Sequence, residues 1–156
     1  MKVNRLCVSL LLPIVLAACA TGPKLSEMGS SIPTLSPEQG RIYFYRSGSA
    51  FGAAVQPSIL LNGIVVGESK PGGFFFVDQA AGNKEVSTST EVEKKLSFTL
   101  DPGQTRYVRT VIGIGLFVGR VYPELVDDAT GQKELEEASY IGPPPGQGAK
   151  AEAKAQ

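Results

Sequence analysis

Without a histidine anywhere in its 156 residues, the chain lacks the side chain on which Ser-His and Cys-His nucleophiles and the commonest zinc sites depend. A serine–lysine pair is the remaining nucleophile system, but no Ser precedes a Lys by three residues, so the penicillin-recognising pattern is absent. Glu91 and Glu93 fall on one face of an expected strand beside Lys94 and Lys95. Glycoside hydrolysis needs two carboxylates facing each other across a cleft; this spacing reads instead as the solvated end of a hairpin. Asp127-Asp128 before Ala129-Thr130-Gly131 lacks the alternating ligands and closing Glu of a calcium loop and reads as a turn or helix start. The glycines from Gly113 to Gly119 fit neither a phosphate loop nor a dinucleotide fingerprint. They suit a bulging strand, with an exposed apolar loop against a partner or membrane as the alternative. Arg109, in mid-strand between Tyr107 and Val111, is the polar residue of most interest. It must pair with a neighbouring-strand Glu or offer an anion or partner contact.

Aromatic side chains pose a similar choice. Tyr43, Tyr45, Phe74, Phe75, Phe76, Tyr107, Phe117 and Tyr122 suffice for a sugar- or peptide-stacking surface. In a chain with no Trp they are better read as most of the core. Phe75 has to face opposite Phe74 and Phe76, and so needs separate cover or stands exposed.

The other reactive group is a thiol. Lys2 and Arg5 precede a nearly unbroken apolar run from Leu6 to Ala18, interrupted by Ser9 and Pro13. Such a run falls short of the ~20 residues that span a bilayer and reads as a signal peptide. It closes on Leu16-Ala17-Ala18-Cys19, which resembles the bacterial lipobox. The resemblance implies cleavage after Ala18 and a diacylglyceryl thioether with an N-acyl chain on Cys19. No other cofactor is expected. Cys7 leaves with the signal, so no thiol remains for a disulfide. Loss of Lys2 and Arg5 leaves 13 basic against 15 acidic residues, about −2 in all. That balance argues against nucleic acid as a partner.

The elements that must position these groups are short and β-prone. Residues 19–39, rich in Pro, Ser and Gly, read as a flexible tether, and 142–156 as a disordered Pro/Gly/Ala/Lys tail. Between them, residues 40–141 form one domain of ordinary size. Gly40 to Arg46 alternates Ile42 and Phe44 against Arg41, Tyr43 and Tyr45. Asn62-Gly63 between two apolar runs is the strongest two-residue hairpin signal. Lys84 to Val92 reads as one β-branched strand, Leu96 to Leu100 and Arg106 to Ile112 as the next two. Phe117 to Val126 reads as a bent or edge strand because of Gly119 and Pro123. Asp127 to Ala138 suits a short helix with Leu135 inward, although Gly131 weakens it. The expected fold is all-β: a small immunoglobulin-like or transthyretin-like antiparallel β-sandwich of about seven strands, with one short helix near the C-terminus.

These residues also carry a resemblance. Gly40-Arg41-Ile42-Tyr43-Phe44-Tyr45-Arg46, Leu61-Asn62-Gly63, Val66-Gly67, Gly73-Phe74-Phe75-Phe76, Tyr107-Val108-Arg109 and Gly119-Arg120 resemble a family of small bacterial lipoproteins catalogued as a domain of unknown function. The hairpin-and-glycine layout is also similar to surface-layer β-sandwich modules with a Pro-Glu-Gly-Ala signature. The stretch Ala81-Gly82-Asn83-Lys84 departs from those modules, having neither their Pro nor their His. Neither resemblance brings a catalytic or binding residue with it. The first resemblance implies a lipoprotein with a β-sandwich, and the second bears on the fold alone. The leading expectation is a membrane-anchored, non-catalytic binding or assembly module of the cell envelope, with an envelope protein or peptidoglycan as partner. Ala20 after the lipidated Cys, where inner-membrane retention usually uses Asp, points to the outer membrane facing the periplasm. Two alternatives stand beside this: an envelope enzyme of unfamiliar type acting on cell-wall glycan or peptide, and a structural subunit of a larger envelope assembly. The oligomeric state stays open.

Overall fold

The structure, a computed structural model, describes residues 19–113 and 119–143, with Val92 and Glu93 described by backbone alone. Residues 1–18, on which the expected signal peptide and Leu16, Ala17 and Ala18 fall, the central part of the Gly113–Gly119 stretch with Phe117, and residues 144–156 lie outside the described residues. A short helix α1 (Leu25–Met28) runs into a 3-10 turn (Gly29–Ser31). Eight strands follow: β1 (Gln39–Tyr45), β2 (Ser58–Leu61), β3 (Ile64–Glu68), β4 (Gly73–Ala80), β5 (Gly82–Thr88), β6 (Glu91–Leu100), β7 (Thr105–Ile112) and β8 (Val121–Val126). Helix α2 (Asp128–Glu137) and a two-residue strand β9 (Ser139–Tyr140) complete the order.

Two sheets face each other, β8-β7-β1-β4-β9 and β3-β2-β5-β6. The expected all-β sandwich is therefore present, with nine strands among the described residues. It is not purely antiparallel: β1 pairs parallel with β7, and β4 with β9. Ile42, Phe44 and Phe75 point between the sheets, where Phe44 and Phe75 stack at 5.2 Å. Tyr43, Tyr45, Phe74, Tyr107 and Phe76 point the other way, under α1, α2 and the N-terminal segment. Both faces of β1 are thus buried, which is why it reads as a nearly continuous apolar run. Phe75 has found its separate cover, in part over Gly67, where a Cβ would stand 2.7 Å from its Cε1.

The N-terminal stretch corrects one expectation. It is packed, not a free tether: Met28 is buried, the Tyr140 amide donates to the Pro23 carbonyl at 2.8 Å, and Arg41 donates to the Pro33 carbonyl at 2.8 Å. Its sparse apolar residues suffice because the outer face of the first sheet is itself aromatic and needs a cover. A second correction concerns Lys84 to Val92. Ser89 and Thr90 make a turn, so Val92 belongs to β6. The Ser89 amide donates to the Ser58 carbonyl, and Thr90 Oγ1 accepts from the Val121 amide at 3.0 Å. Partners on two other strands hold a turn that the local β propensity of the run conceals.

At Asn62-Gly63 the backbone has φ of +50° and +82°, as a type I′ hairpin turn requires. Asn62 Oδ1 also accepts from the Glu85 amide at 2.9 Å. A Cβ on Gly63 would meet nothing within 4 Å, so a side chain there costs backbone strain alone. Gly63→Val is expected to destabilise the domain by about 1–3 kcal/mol in urea unfolding. Asn62→Asp keeps both the turn preference and an acceptor, and should melt close to the parent. A Gly63→Val protein as stable as the parent would exclude the strained turn.

Candidate functional site

Arg109 lies on β7 opposite Glu124 of β8 in the register of the first sheet. Its Nη2 is 3.1 Å from Glu124 Oε2, and its Nη1 is 2.8 Å from Glu134 Oε1 on α2. Glu134 also accepts the Tyr45 hydroxyl proton donor at 2.6 Å, so one carboxylate ties β1, β7 and α2 together. Burial opposes the charge on Arg109, but the hydrogen bond to Glu124 and the nearby Glu134 outweigh it and hold its pKa above the ordinary value. Burial first, and Glu134 second, push the Tyr45 hydroxyl far above its usual range. A cation committed to two carboxylates has little attraction left for an added anion. The expected pairing with a neighbouring-strand Glu is what the geometry contains, and the anion-contact alternative at Arg109 has no support in it. Its Nε is buried without a hydrogen-bond partner.

The helix that supplies Glu134 starts where the Asp127-Asp128 pair suggested a turn or helix start. Asp127 Oδ1 accepts from the Thr130 amide at 3.0 Å, an N-cap that lowers the Asp127 pKa. Leu135 is buried, as expected. Gly131, which weakens the helix by propensity, sits against the Tyr107 ring, and any larger residue would collide with it.

Sequence reasoning passed over a second cation. Arg46 is only 3% exposed, and no carboxylate contacts its guanidinium in the described structure. Nη1 donates to the Val55 carbonyl at 2.6 Å and the Ser69 carbonyl at 3.2 Å, and Nη2 to the Gly52 carbonyl at 2.9 Å. Burial lowers its pKa. The signal was present in the alternation of β1, because Arg46 has the parity of Ile42 and Phe44 and so had to enter the interior. The adjoining recess, lined by residues such as Phe44, Arg46, Ser69 and Thr110, holds about 0 Å³ of free volume, against the ~300–1,000 Å³ of a typical small-molecule site.

Glu91 does not fit its expected place at a solvated hairpin end. It is 5% exposed and receives Arg120 Nη1 at 3.0 Å. The cause is β8, whose first residues lie across the β5–β6 turn and cover it. Cys19 is exposed, next to the Ala20 amide that donates to the Pro71 carbonyl at 3.2 Å. Among the described residues no group of His, Cys, Asp and Glu is placed to hold a metal ion.

Arg109 is paired with two carboxylates and Arg46 is held by loop carbonyls, an aromatic layer fills the space between sheet and helix, and an exposed cysteine stands at one end. The chain belongs to the family described as "Protein of unknown function (DUF2846)", whose model matches residues 36–121, from just before β1 to the start of β8. The resemblance to a domain of unknown function, carried by Gly40 to Arg120, is thereby borne out at the level of the family. The chain is also 32% identical over 127 residues to an "Uncharacterized protein" of Haemophilus influenzae, covering 78% of this chain and 75% of that protein. No solved structure matches it.

Proposed function

We propose that this chain is a lipoprotein, anchored by acyl chains on Cys19 to the outer membrane and facing the periplasm, whose sandwich is a non-catalytic binding or assembly module of the cell envelope. The observation that carries the reading is Leu16-Ala17-Ala18-Cys19 closing an apolar run that follows Lys2 and Arg5. The exposed position of Cys19 supports it, since an acylated side chain has to reach a bilayer. Among the described residues no helix is long and apolar enough to cross a membrane.

An envelope protein suits the module better than peptidoglycan glycan. The aromatic rings that would stack on sugars, Tyr43, Tyr45, Phe74 and Tyr107, are buried. By contrast β3 is an edge strand with Ile64 and Val65 exposed at 63% and 60%, a surface on which a partner strand can add. Cys19→Ser tests the anchor, because serine cannot form the thioether. The variant is expected to lose acyl labelling entirely and to leave the membrane fraction or remain uncleaved. The parent, with several acyl chains each contributing ~0.8 kcal/mol per buried CH₂, should withstand salt washing. Unchanged labelling and membrane partition in Cys19→Ser would end this reading, and recovery of the parent chiefly with inner membranes would end the sorting part of it.

A further inference from the structure

From Ala20 onward the chain is fixed to the domain. The Ala20 amide is bonded to the Pro71 carbonyl, the Tyr140 amide to the Pro23 carbonyl, and Lys24 bridges to Ser139 while its ammonium donates to the Glu137 carbonyl at 2.7 Å. Gly22 passes so near the Tyr140 carbonyl that a Cβ would collide with it. A single peptide, ~3.8 Å between successive Cα atoms, therefore separates Cys19 from its first contact with the sandwich. A lipid on Cys19 then leaves the domain no slack to stand away from the bilayer.

The end of the sandwich so held is defined by its loops. Pro71-Gly72 leads into β4, and the loop 46–57 leaves β1 beside it. Gly48 and Gly72 are close enough that a Cβ on either would stand within 3.7 Å of the other's Cα. Arg46 fastens the two together through the Gly52, Val55 and Ser69 carbonyls. From Ser47 to Pro57 there is no charged residue, and Phe51 projects from this loop 54% exposed. Such a loop can enter a headgroup layer without stripping water from a charge, and an exposed ring gains by leaving water there. At the opposite end of β1 the turn at Asp101 carries charge and no large apolar side chain.

We infer that the end of the sandwich bearing Cys19, Pro71 and the 46–57 loop lies against the lipid bilayer, with Phe51 in the headgroup layer. The inference rests on the lipoprotein reading and adds an orientation to it. Its test uses the full acylated chain carrying Phe51→Cys or Asp101→Cys, inserted into preformed phosphatidylethanolamine/phosphatidylglycerol vesicles and reacted with a membrane-impermeant maleimide. The reference is the same pair in the cleaved, soluble fraction of the Cys19→Ser background, which has lost Cys7 with the signal, and the N-terminal peptide of each protein is weighed to establish acylation and cleavage. Position 51 is expected to react about tenfold more slowly on vesicles than in its unanchored reference, and position 101 at an unchanged rate. If acylated protein reacts at position 51 as fast as the reference, or both positions slow equally, the orientation is wrong while the lipoprotein reading stands. An unacylated Cys19 in the parent overturns both.

Discussion

Arg46→Met is expected to lower the unfolding free energy by about 2–4 kcal/mol, a large part of the ~5–15 kcal/mol that holds an ordinary domain folded. Two effects oppose each other. Methionine retains the apolar stem and removes a cation whose burial is itself costly, as its lowered pKa shows. It also leaves the Val55 and Ser69 carbonyls without the donor they now share, and the Gly52 carbonyl with the Val55 amide alone. Each buried acceptor left unsatisfied costs about 1–3 kcal/mol, and two, with the third reduced to one donor, outweigh the desolvation recovered once the loop has partly relaxed toward water. Arg46→Lys should fall between parent and Met, because one ammonium cannot serve three carbonyls that a planar fork reaches. Urea unfolding measures the size of the effect, and amide exchange locates it. The Ala53 and Val55 amides, bonded to Ala50 and Gly52 carbonyls, should lose protection before the strands do. A Met variant within ~0.5 kcal/mol of the parent, the ordinary range for an uncommitted surface position, would show that the loop does not depend on Arg46.

Gly131→Ala is the second large effect, and it sets two rules against each other. In a solvated helix the change is stabilising by ~1 kcal/mol. Here the new Cβ would stand 2.5 Å from Tyr107 Cβ and 2.6 Å from Cδ1, and nearer still to Cγ. These atoms are at the root of the tyrosine and cannot swing aside, because the ring stacks on Tyr43 with centroids 5.6 Å apart at 9°. Relief requires α2 to lift from β7, which also draws Glu134 away from Arg109 and Tyr45. Overpacking of this kind costs about 1–3 kcal/mol before those contacts are counted, so a net loss of about 2 kcal/mol is expected, a fall in Tm of roughly 10 °C for a domain of this size. Gly131→Val should be worse. A rise in Tm for the alanine variant would mean that helix propensity prevails and that α2 does not approach Tyr107 this closely.

Much of the fold was legible because it depends on local pattern. The Asn62-Gly63 turn needs only residues that tolerate positive φ, and Pro123 is tolerated because β8 is an edge strand. Leu135 faces inward because helical spacing puts it there. The parallel pairing of β1 with β7 has no local signature, since it joins segments more than fifty positions apart. The cover over the outer face of the first sheet is equally non-local. Residues 19–39 have a tether's composition and become ordered only because Tyr43, Phe74, Phe76 and Tyr140 present an aromatic surface for them to close.

The candidate groups divide along the same line. The Leu16-Ala17-Ala18-Cys19 motif, the missing histidines and the charge balance are properties of a one-dimensional chain, and the sequence alone carries them. The alternation of β1 put Arg46 on the interior face, but only tertiary structure gave it three loop carbonyls to hold. Glu91 beside two lysines has the look of a solvated turn until β8 crosses it with Arg120. Arg109 had to find a carboxylate, and folding supplied one from the adjacent strand and another from a helix 25 residues along the chain. The physical reason is one of range: backbone preferences and side-chain parity act between neighbours, whereas burial and ion pairing depend on whichever distant segments the packed sheets bring within a few ångströms.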